Sequence, residues 1–352
     1  MRYDVIIVGA SFAGLAAASR LKGRRVLLLD RKEIGTMPTS ACGAPLRIAR
    51  DLGCEGAVAQ THPSGYIYTP KRAFKYRLPE PYCVLDYPRF CKLLFDKGGA
   101  EFVRAAALGV SPDGHTVMTS AGRFEAECVV DASGWRAVLA KSLDRGFVDT
   151  RTLAFGVETE ATGRGEGLHF WFDPNYIRGG YAWNFPSGRH CRVGVGYFGE
   201  NTGLVKIRGG LARLLEALRL SPGHMHGGYI PFALRRPTVG SLFVVGDAAG
   251  QSLPATGEGI RPAIYFGLRA GDLVRDVIER RASREAALRS YAALVEGYRS
   301  RYDFLQRAQG VVMHLPTVWM TLTLAVTRVD WLRGLWLPRY TRAFPSAAWT
   351  GR

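Results

Sequence analysis

Residues 3–30, "YDVIIVGASFAGLAAASRLKGRRVLLLD", decide how the chain is read. Val5 to Val8 is a short unbroken apolar run, Gly14 to Leu21 is alanine-rich with helical character, and Val26 to Leu29 is a second apolar run. Strand, helix and strand in so short a span make a βαβ unit with parallel strands. Between the first strand and the helix lies "GASFAG", Gly9 to Gly14. Gly9 permits the tight turn, Gly14 lets the helix pack on the strand, and the amides of Ser11, Phe12 and Ala13 at the helix start can hold a pyrophosphate. Ser11 stands where the middle glycine of such a loop is usual, and its Cβ limits backbone approach to the phosphates. Asp30 ends the second strand about twenty residues on, next to Arg31, where a carboxylate can bond a ribose hydroxyl. A bound dinucleotide is expected.

Which dinucleotide is bound follows from residues 241–264, "SLFVVGDAAGQSLPATGEGIRPAI". A buried strand runs into Gly246-Asp247, with Asp247 able to accept a hydrogen bond from a sugar or ribityl hydroxyl. Gly257-Glu258-Gly259 then opens a helix at Ile260 whose positive end can face an anionic flavin ring. A third strand-end, "DASGW" from Asp131 to Trp135, offers small residues for close approach to the first loop. A protein that binds only a nicotinamide cofactor has no need of the second contact set, so FAD is the expected cofactor.

Between these segments the pattern changes. "GYIYTPKRAFKYRL" alternates as a hairpin does, "YPRFCKLLFDKGG" is helical and ends in glycines, and residues 101–130 read as strands with a turn at Pro112-Asp113-Gly114. Residues 151–199 are again short β-like segments, followed by a helix near Leu204 to Leu220. The expected fold class is α/β: a Rossmann-like FAD-binding domain (1–60, 82–150 and 233–283) interrupted by an antiparallel β-sheet substrate domain (61–81 and 151–232). Residues 284–352 form a helical C-terminal region, read as a lid or a membrane-docking segment.

Composition narrows the function classes. The 352 residues carry 47 Lys and Arg against 30 Asp and Glu, a formal net charge of +17, which attracts phosphates or anionic lipid. The basic residues form no tail and no aromatic-basic RNA-binding sheet pattern, so nucleic acid is not expected as a partner. The 6 cysteines contain no C-x-x-C pair, which argues against zinc and for buried thiols. His224 and His226 have no third ligand at a sensible spacing; they are read as loop residues, and no metal is expected. No charged leader precedes the first apolar run, from which a cytoplasmic placement is expected, with peripheral membrane contact open. The greasy window from Val311, "VVMHLPTVWMTLTLAVT", contains His314 and Pro316 and is read as a lid or surface-docking piece, not a span. Beyond it Trp and Leu mix with Arg as in interfacial helices, although an amphipathic core helix explains the pattern nearly as well.

The opening stretch, "ACGAP" (41–45), "DASGWRAVLA" (131–140), "GGYIP" (227–231), "GDAAG" (246–250) and "PATGEGI" (254–260) together resemble the flavoprotein superfamily of aromatic hydroxylases and, within it, the geranylgeranyl reductase family. The resemblance covers most of residues 1–280. It implies that Tyr181, Trp183, Phe185 and Pro186, in "GGYAWNFPSGRH", match the Tyr-x-Trp-x-Phe-Pro motif lining the lipid tunnel. It also implies that Cys42-Gly43, with Ala44, lies near the flavin. Related halogenases carry Trp-x-Trp-x-Ile-Pro there. One departure is Asp86-Tyr87 in place of the family's Asp-Arg pair.

The implied activity is FAD-dependent saturation of double bonds in a geranylgeranyl chain, on an isoprenoid diphosphate or a prenyl lipid, driven by an external electron donor. An isolated alkene has no carbonyl to polarise it, so hydride delivery must be coupled to protonation of the neighbouring carbon in a site that excludes water. Tyr181 and Trp183, two apart on a strand, point to one side, and Ala182 and Asn184 to the other. Cys42 is the candidate proton donor or gate, and a small buried thiol without chemistry is the alternative; Asn184 and Glu258 are weaker candidates. Lys71, Arg72, Lys75 and Arg77 can hold a phosphate headgroup or form a solvated strand face. Two other functions stay open: an oxygen-using monooxygenase or halogenase, and a flavin- or membrane-binding protein without turnover.

Overall fold

The computed structural model describes residues 2–36, 40–198, 203–326 and 344–345. The opening stretch forms β1 (Arg2–Val8), α1 (Phe12–Ser19) and β2 (Val26–Asp30). Next come β3 (Gly43–Pro45), α2 (Leu46–Asp51), a long hairpin of β4 (Val58–Tyr68) and β5 (Ala73–Leu85), and α3 (Tyr87–Gly98). Asp86 caps α3 by accepting from the Arg89 amide at 3.1 Å, Pro88 sits in its first turn, and left-handed Gly99 ends it. The middle of the chain gives β6 (Glu101–Arg104), β7 (Ala107–Val110), β8 (Thr116–Thr119), β9 (Gly122–Asp131) and α4 (Val138–Leu143). Then β10 (Leu153–Thr162), β11 (Leu168–Trp171), β12 (Gly180–Ser187), β13 (His190–Phe198), α5 (Leu204–Leu218) and β14 (Pro222–Pro231) follow. The described chain finishes with β15 (Thr238–Val239), β16 (Leu242–Val244), α6 (Ile260–Ile278), α7 (Arg284–Glu296), α8 (Arg299–Val312) and α9 (Thr317–Val326).

The strands make two sheets. In the first, β16, β9, β1, β2 and β6 run parallel in that order, with β15 antiparallel on one edge and the β7–β8 pair attached through β9. Both faces are covered: Val5 and Ile7 pack toward α1, α3 and α6, while Ile6 and Val8 pack against the layer containing Leu139 and Val117. That double burial is why β1 reads as an unbroken apolar run, each such side chain contributing about 1.5–3 kcal/mol. Val8 lies opposite both Leu29 and Asp131, and Val244 is also opposite Asp131, so the loops after β1, β2, β9 and β16 all emerge at one edge. Open parallel sheets bind their ligands at that carboxyl edge.

The second sheet runs β14-β10-β13-β12-β11-β4-β5-β3 and is antiparallel except where β11 meets β4. Ala182, Val193 and Val195 face α5 through Ile207, Leu211 and Leu214. Tyr181, Phe198 and Ala154 face the other way, toward Met313. His224 and His226 are not loop residues: they lie in β14, whose backbone pairs with β10 although its first seven residues, Pro222 to Gly228, include no β-branched or aromatic strand former. The apolar window from Val311 divides into the end of α8 and the start of α9, separated by a turn that contains Pro316. No helix among the described residues is long and apolar enough to cross a membrane. Residues 327–343 and 346–352, the remainder of the expected C-terminal docking region apart from Phe344 and Pro345, lie outside the described residues.

One buried polar side chain locks the second sheet together. His62 on β4 is fully buried, its Nδ1 accepting from the Gly167 amide at 2.9 Å and its Nε2 donating to the Pro186 carbonyl at 2.9 Å. Burial lowers its pKa, and a second ring proton would have to point at the Gly167 N–H. The folded pKa therefore lies below the unfolded value of about 6.5. Stability is fully present above that value and falls as pH drops from there through the folded pKa. In urea titrations between about pH 8 and pH 5, His62→Phe should show a shallower acid limb than the parent chain. It should also be less stable at neutral pH by roughly 1–3 kcal/mol per orphaned hydrogen-bonding group.

Candidate functional site

The turn after β1 is shaped by contact with the turn after β9. Gly9 holds φ 113°, and a Cβ there would run into the Ala132 carbonyl, so no other residue fits. The first-turn amides of α1 have no intrahelical acceptor. That turn carries no acidic side chain, Phe12, Ala13 and Gly14 are buried, and Ser11 does not cap the helix with its own side chain. A buried, uncompensated positive helix end is what an anionic pyrophosphate would complete. The Ser11 hydroxyl instead accepts from the Tyr87 phenol at 3.0 Å, so the residues at the two departures from the family pattern touch each other. Asp30, expected to bond a ribose hydroxyl, accepts from the Ala10 amide at 2.8 Å and the Lys32 amide at 3.0 Å and so ties the β1–α1 turn to the end of β2, with Arg31 exposed beside it. Asp131 accepts from Ser133, Leu139 and Ala140 and so fixes the start of α4.

The loop after β16 is held from several directions. Gly246 donates to Gln251 Oε1 at 2.7 Å, the Gln251 amide reaches the Tyr291 hydroxyl, and the Tyr302 phenol donates to the Gln251 carbonyl at 2.6 Å. Asp247 accepts from the Ser252 hydroxyl at 2.9 Å, and burial raises its pKa. Gly257 has φ 63°, Gly259 is the N-cap of α6, and Ile260 is its first residue. Glu258 pairs with the fully buried Arg261, with Arg261 Nε at 2.7 Å from Oε1.

Strand β12 reaches two of the loops expected to hold the cofactor, 41–45 and 254–259. The Tyr181 hydroxyl donates to the Thr256 carbonyl at 2.6 Å, next to Gly257, and the edge of the Phe185 ring lies where a Cβ on Gly43 would be, 2.9 Å away. Cys42, Tyr181, Phe185 and the loop 254–259 are thereby gathered at one place from three parts of the chain. The Trp183 ring lies over Gly194, where any Cβ would collide with it, and Gly196 and Gly156 come next, their notional Cβ positions 3.3 and 3.4 Å from the indole. Gly228, Gly156 and Gly196 are consecutive partners across three strands and end at Tyr181; the Trp183 indole lies against this row at Gly196 and Gly156, and Gly228 is open. Phe170 stands edge-on to both Tyr181 and Phe185. Pro186 accepts the His62 hydrogen bond and is buried in β12.

Two polar residues in this wall, Glu158 and Arg192, were not evident in the sequence. Glu158 accepts from the Trp183 indole at 2.9 Å and from Arg192 at 3.1 Å, with His226 Nε2 at 3.4 Å. Glu158 and Arg192 are both buried. Only the alternation of β10 and β13 could have signalled them, because it puts them in register with the aromatic residues. Asn184 projects to the opposite face with Ala182 and Val193, which removes it as a donor to anything bound at Tyr181. Cys42 is buried with φ 58° and donates its S–H to the Ser40 carbonyl at 3.1 Å. Burial pushes this thiol up to about 12, with the Arg192 guanidinium pulling the other way, so it is protonated at neutral pH. Burial also raises the Tyr181 phenol above its ordinary value. All six cysteines are free and buried. Lys71, Arg72, Lys75 and Arg77 are exposed around the β4–β5 turn.

No family model matches the chain. Among curated proteins, digeranylgeranylglycerophospholipid reductase 2 of Methanothermobacter thermautotrophicus is 30% identical over 319 residues, 79% of this chain and 79% of that one. Digeranylgeranylglycerophospholipid reductase 1 of Methanopyrus kandleri is 29% identical over 328 residues, 83% of this chain and 85% of its own length. Among solved structures, a geranylgeranyl bacteriochlorophyll reductase-like protein of Thermoplasma acidophilum superposes over 98% of both chains with a TM-score of 0.85 at 20% identity, which shows the fold. Sequence kinship across most of both chains, on the fold described above, makes this chain a member of the geranylgeranyl reductase family of FAD-dependent oxidoreductases.

Proposed function

We propose that the chain binds FAD and saturates carbon–carbon double bonds of geranylgeranyl chains carried on a diphosphate or on digeranylgeranylglycerophospholipid. The observation that carries this reading is the meeting of β12 with two of the expected cofactor loops, Tyr181 on Thr256 and Phe185 on Gly43. The names of the curated relatives support the substrate class.

Reduced FAD, when bound, would supply the hydride to one alkene carbon. Everything else falls to the residues. The α1 amides and Gly9 would hold the pyrophosphate, and the α6 N-terminus beyond Gly257 would face the charged end of the ring. Tyr181, Trp183 and Phe185 would hold the prenyl chain along their shared aromatic face and exclude water, so that the reacting carbons stay in a productive pose. The neighbouring carbon needs a proton, and the Cys42 thiol holds one throughout the neutral range. With hydride and proton both delivered, two electrons per double bond must return from an external donor.

Three outcomes test this. The purified protein should take up FAD; after anaerobic photoreduction, geranylgeranyl diphosphate or its phospholipid ester should reoxidise it, and mass analysis of the lipid should show a gain of two hydrogens per bond. A requirement for oxygen would point to a hydroxylase or halogenase instead. In Cys42→Ser, single-turnover reoxidation should slow by roughly a hundredfold or more with FAD content unchanged, and an unaltered rate would retire the acid role. Gly194→Val should displace the Trp183 ring, raise KM for the prenyl substrate about tenfold and cost roughly 1–3 kcal/mol of stability, while leaving FAD affinity near the parent value.

A further inference from the structure

We propose that α9 and the β4–β5 hairpin form one surface that docks on an anionic phospholipid bilayer. The two pieces lie far apart in sequence, and the structure joins them. The Thr321 hydroxyl on α9 donates to the Thr317 carbonyl and lies within hydrogen-bond distance, 3.0 Å, of Thr69 Oγ1, and the Tyr76 phenol donates to the Leu324 carbonyl at 3.1 Å. The helix is thereby laid against the hairpin, with Met320 and Thr321 buried.

The other side of α9 is apolar and uncovered: Val318 is 49%, Trp319 60% and Leu322 50% exposed. Just before it, α8 exposes Phe304 and Val311. Beside this helix the hairpin presents Lys71 and Arg72 at its turn, both exposed, whereas Lys75 and Arg77 alternate with the buried Phe74 and Tyr76 and lie on the other face of the sheet, Lys75 over the Tyr66 ring. The next acidic residue along β5, Glu80, is committed to Arg47 at 3.2 Å. Neither residues 64–79 nor residues 304–326 contain an Asp or Glu. An exposed Trp and aliphatic residues flanked by cations, with no carboxylate among them, are the chemistry of a headgroup boundary, where the rings and methyls enter the acyl edge and the cations meet lipid phosphate.

The location gives the docking a purpose. Met313, at the end of α8, packs in one cluster with Tyr181 and Phe198, and Gln309 accepts from the Ala255 amide at 2.6 Å. The proposed surface therefore adjoins the aromatic wall, so a prenyl chain could pass from bilayer to site without crossing water. A nucleic-acid partner would use the cations and leave Trp319 and Leu322 unexplained.

Flotation of the full-length FAD-loaded protein tests this. Vesicles of equimolar phosphatidylcholine and phosphatidylglycerol should capture it, phosphatidylcholine alone should do so at least about tenfold more weakly, and added salt should release it. Lys71→Glu with Arg72→Glu should weaken anionic binding by roughly thirtyfold or more, since each lost cation counts for about a factor of five. Trp319→Ser should weaken binding to both kinds of vesicle, and brominated acyl chains should quench parent fluorescence more than that of Trp319→Phe. FAD content and Tm of these variants should match the parent, which separates loss of docking from loss of the fold or of the flavin reading. Equal affinity for neutral and anionic vesicles would overturn the proposal. So would binding that is indifferent to these substitutions, or Trp319-dependent self-association in place of vesicle binding.

Discussion

The hydrogen bond from the Tyr181 phenol to the Thr256 carbonyl spans 75 residues of sequence and ties the antiparallel sheet to the loop that precedes α6. Without it, β12 would be one more packed strand and the loops at the parallel-sheet edge would have nothing opposite. The Tyr181 side chain is buried, so its hydroxyl would be costly to leave unpaired, and the bond fixes the phenol ring as well as the loop. Gln309 holds the same loop from α8 through the Ala255 amide, so the loop is fixed on two sides before any ligand arrives. Pre-set geometry of this kind is what a reaction between two poorly reactive partners requires.

Much of this was readable in the residues. The unbroken apolar runs of β1 and β2 announced strands buried on both faces, and Gly9 and Gly14 announced a turn that admits no Cβ. Strand parity alone separated Tyr181 and Trp183 from Ala182 and Asn184. What stayed hidden depends on long-range pairing. His62 joins Gly167 and Pro186 across more than a hundred positions, and no local pattern encodes that. Glu158 and Arg192 look like ordinary strand charges until register sets them beside Trp183. His224 and His226 were misread because glycines at 223, 227 and 228 imitate a loop, whereas β14 is made a strand by its pairing with β10.

The ion pair in the aromatic wall sets a limit on how simple this site can be. A slot lined only by hydrocarbon would need no buried Glu158 and Arg192, and taking both out of water is expensive. Here the carboxylate is satisfied by the indole N–H and the guanidinium together, which orients the Trp183 ring over Gly194. The wall is therefore rigid for an electrostatic reason as well as a steric one.

Cys42 adds a last point through its backbone. A left-handed conformation, φ 58°, costs an ordinary L-residue on the order of 1 kcal/mol, and glycine would adopt it freely. The adjoining residue, Gly43, is a glycine without needing that conformation, so the side chain stands on the strained position and the bare Cα on the relaxed one. Full burial and the bond to the Ser40 carbonyl leave the sulfur on that backbone few directions to explore, which makes the thiol a fixed pointer rather than a swinging arm.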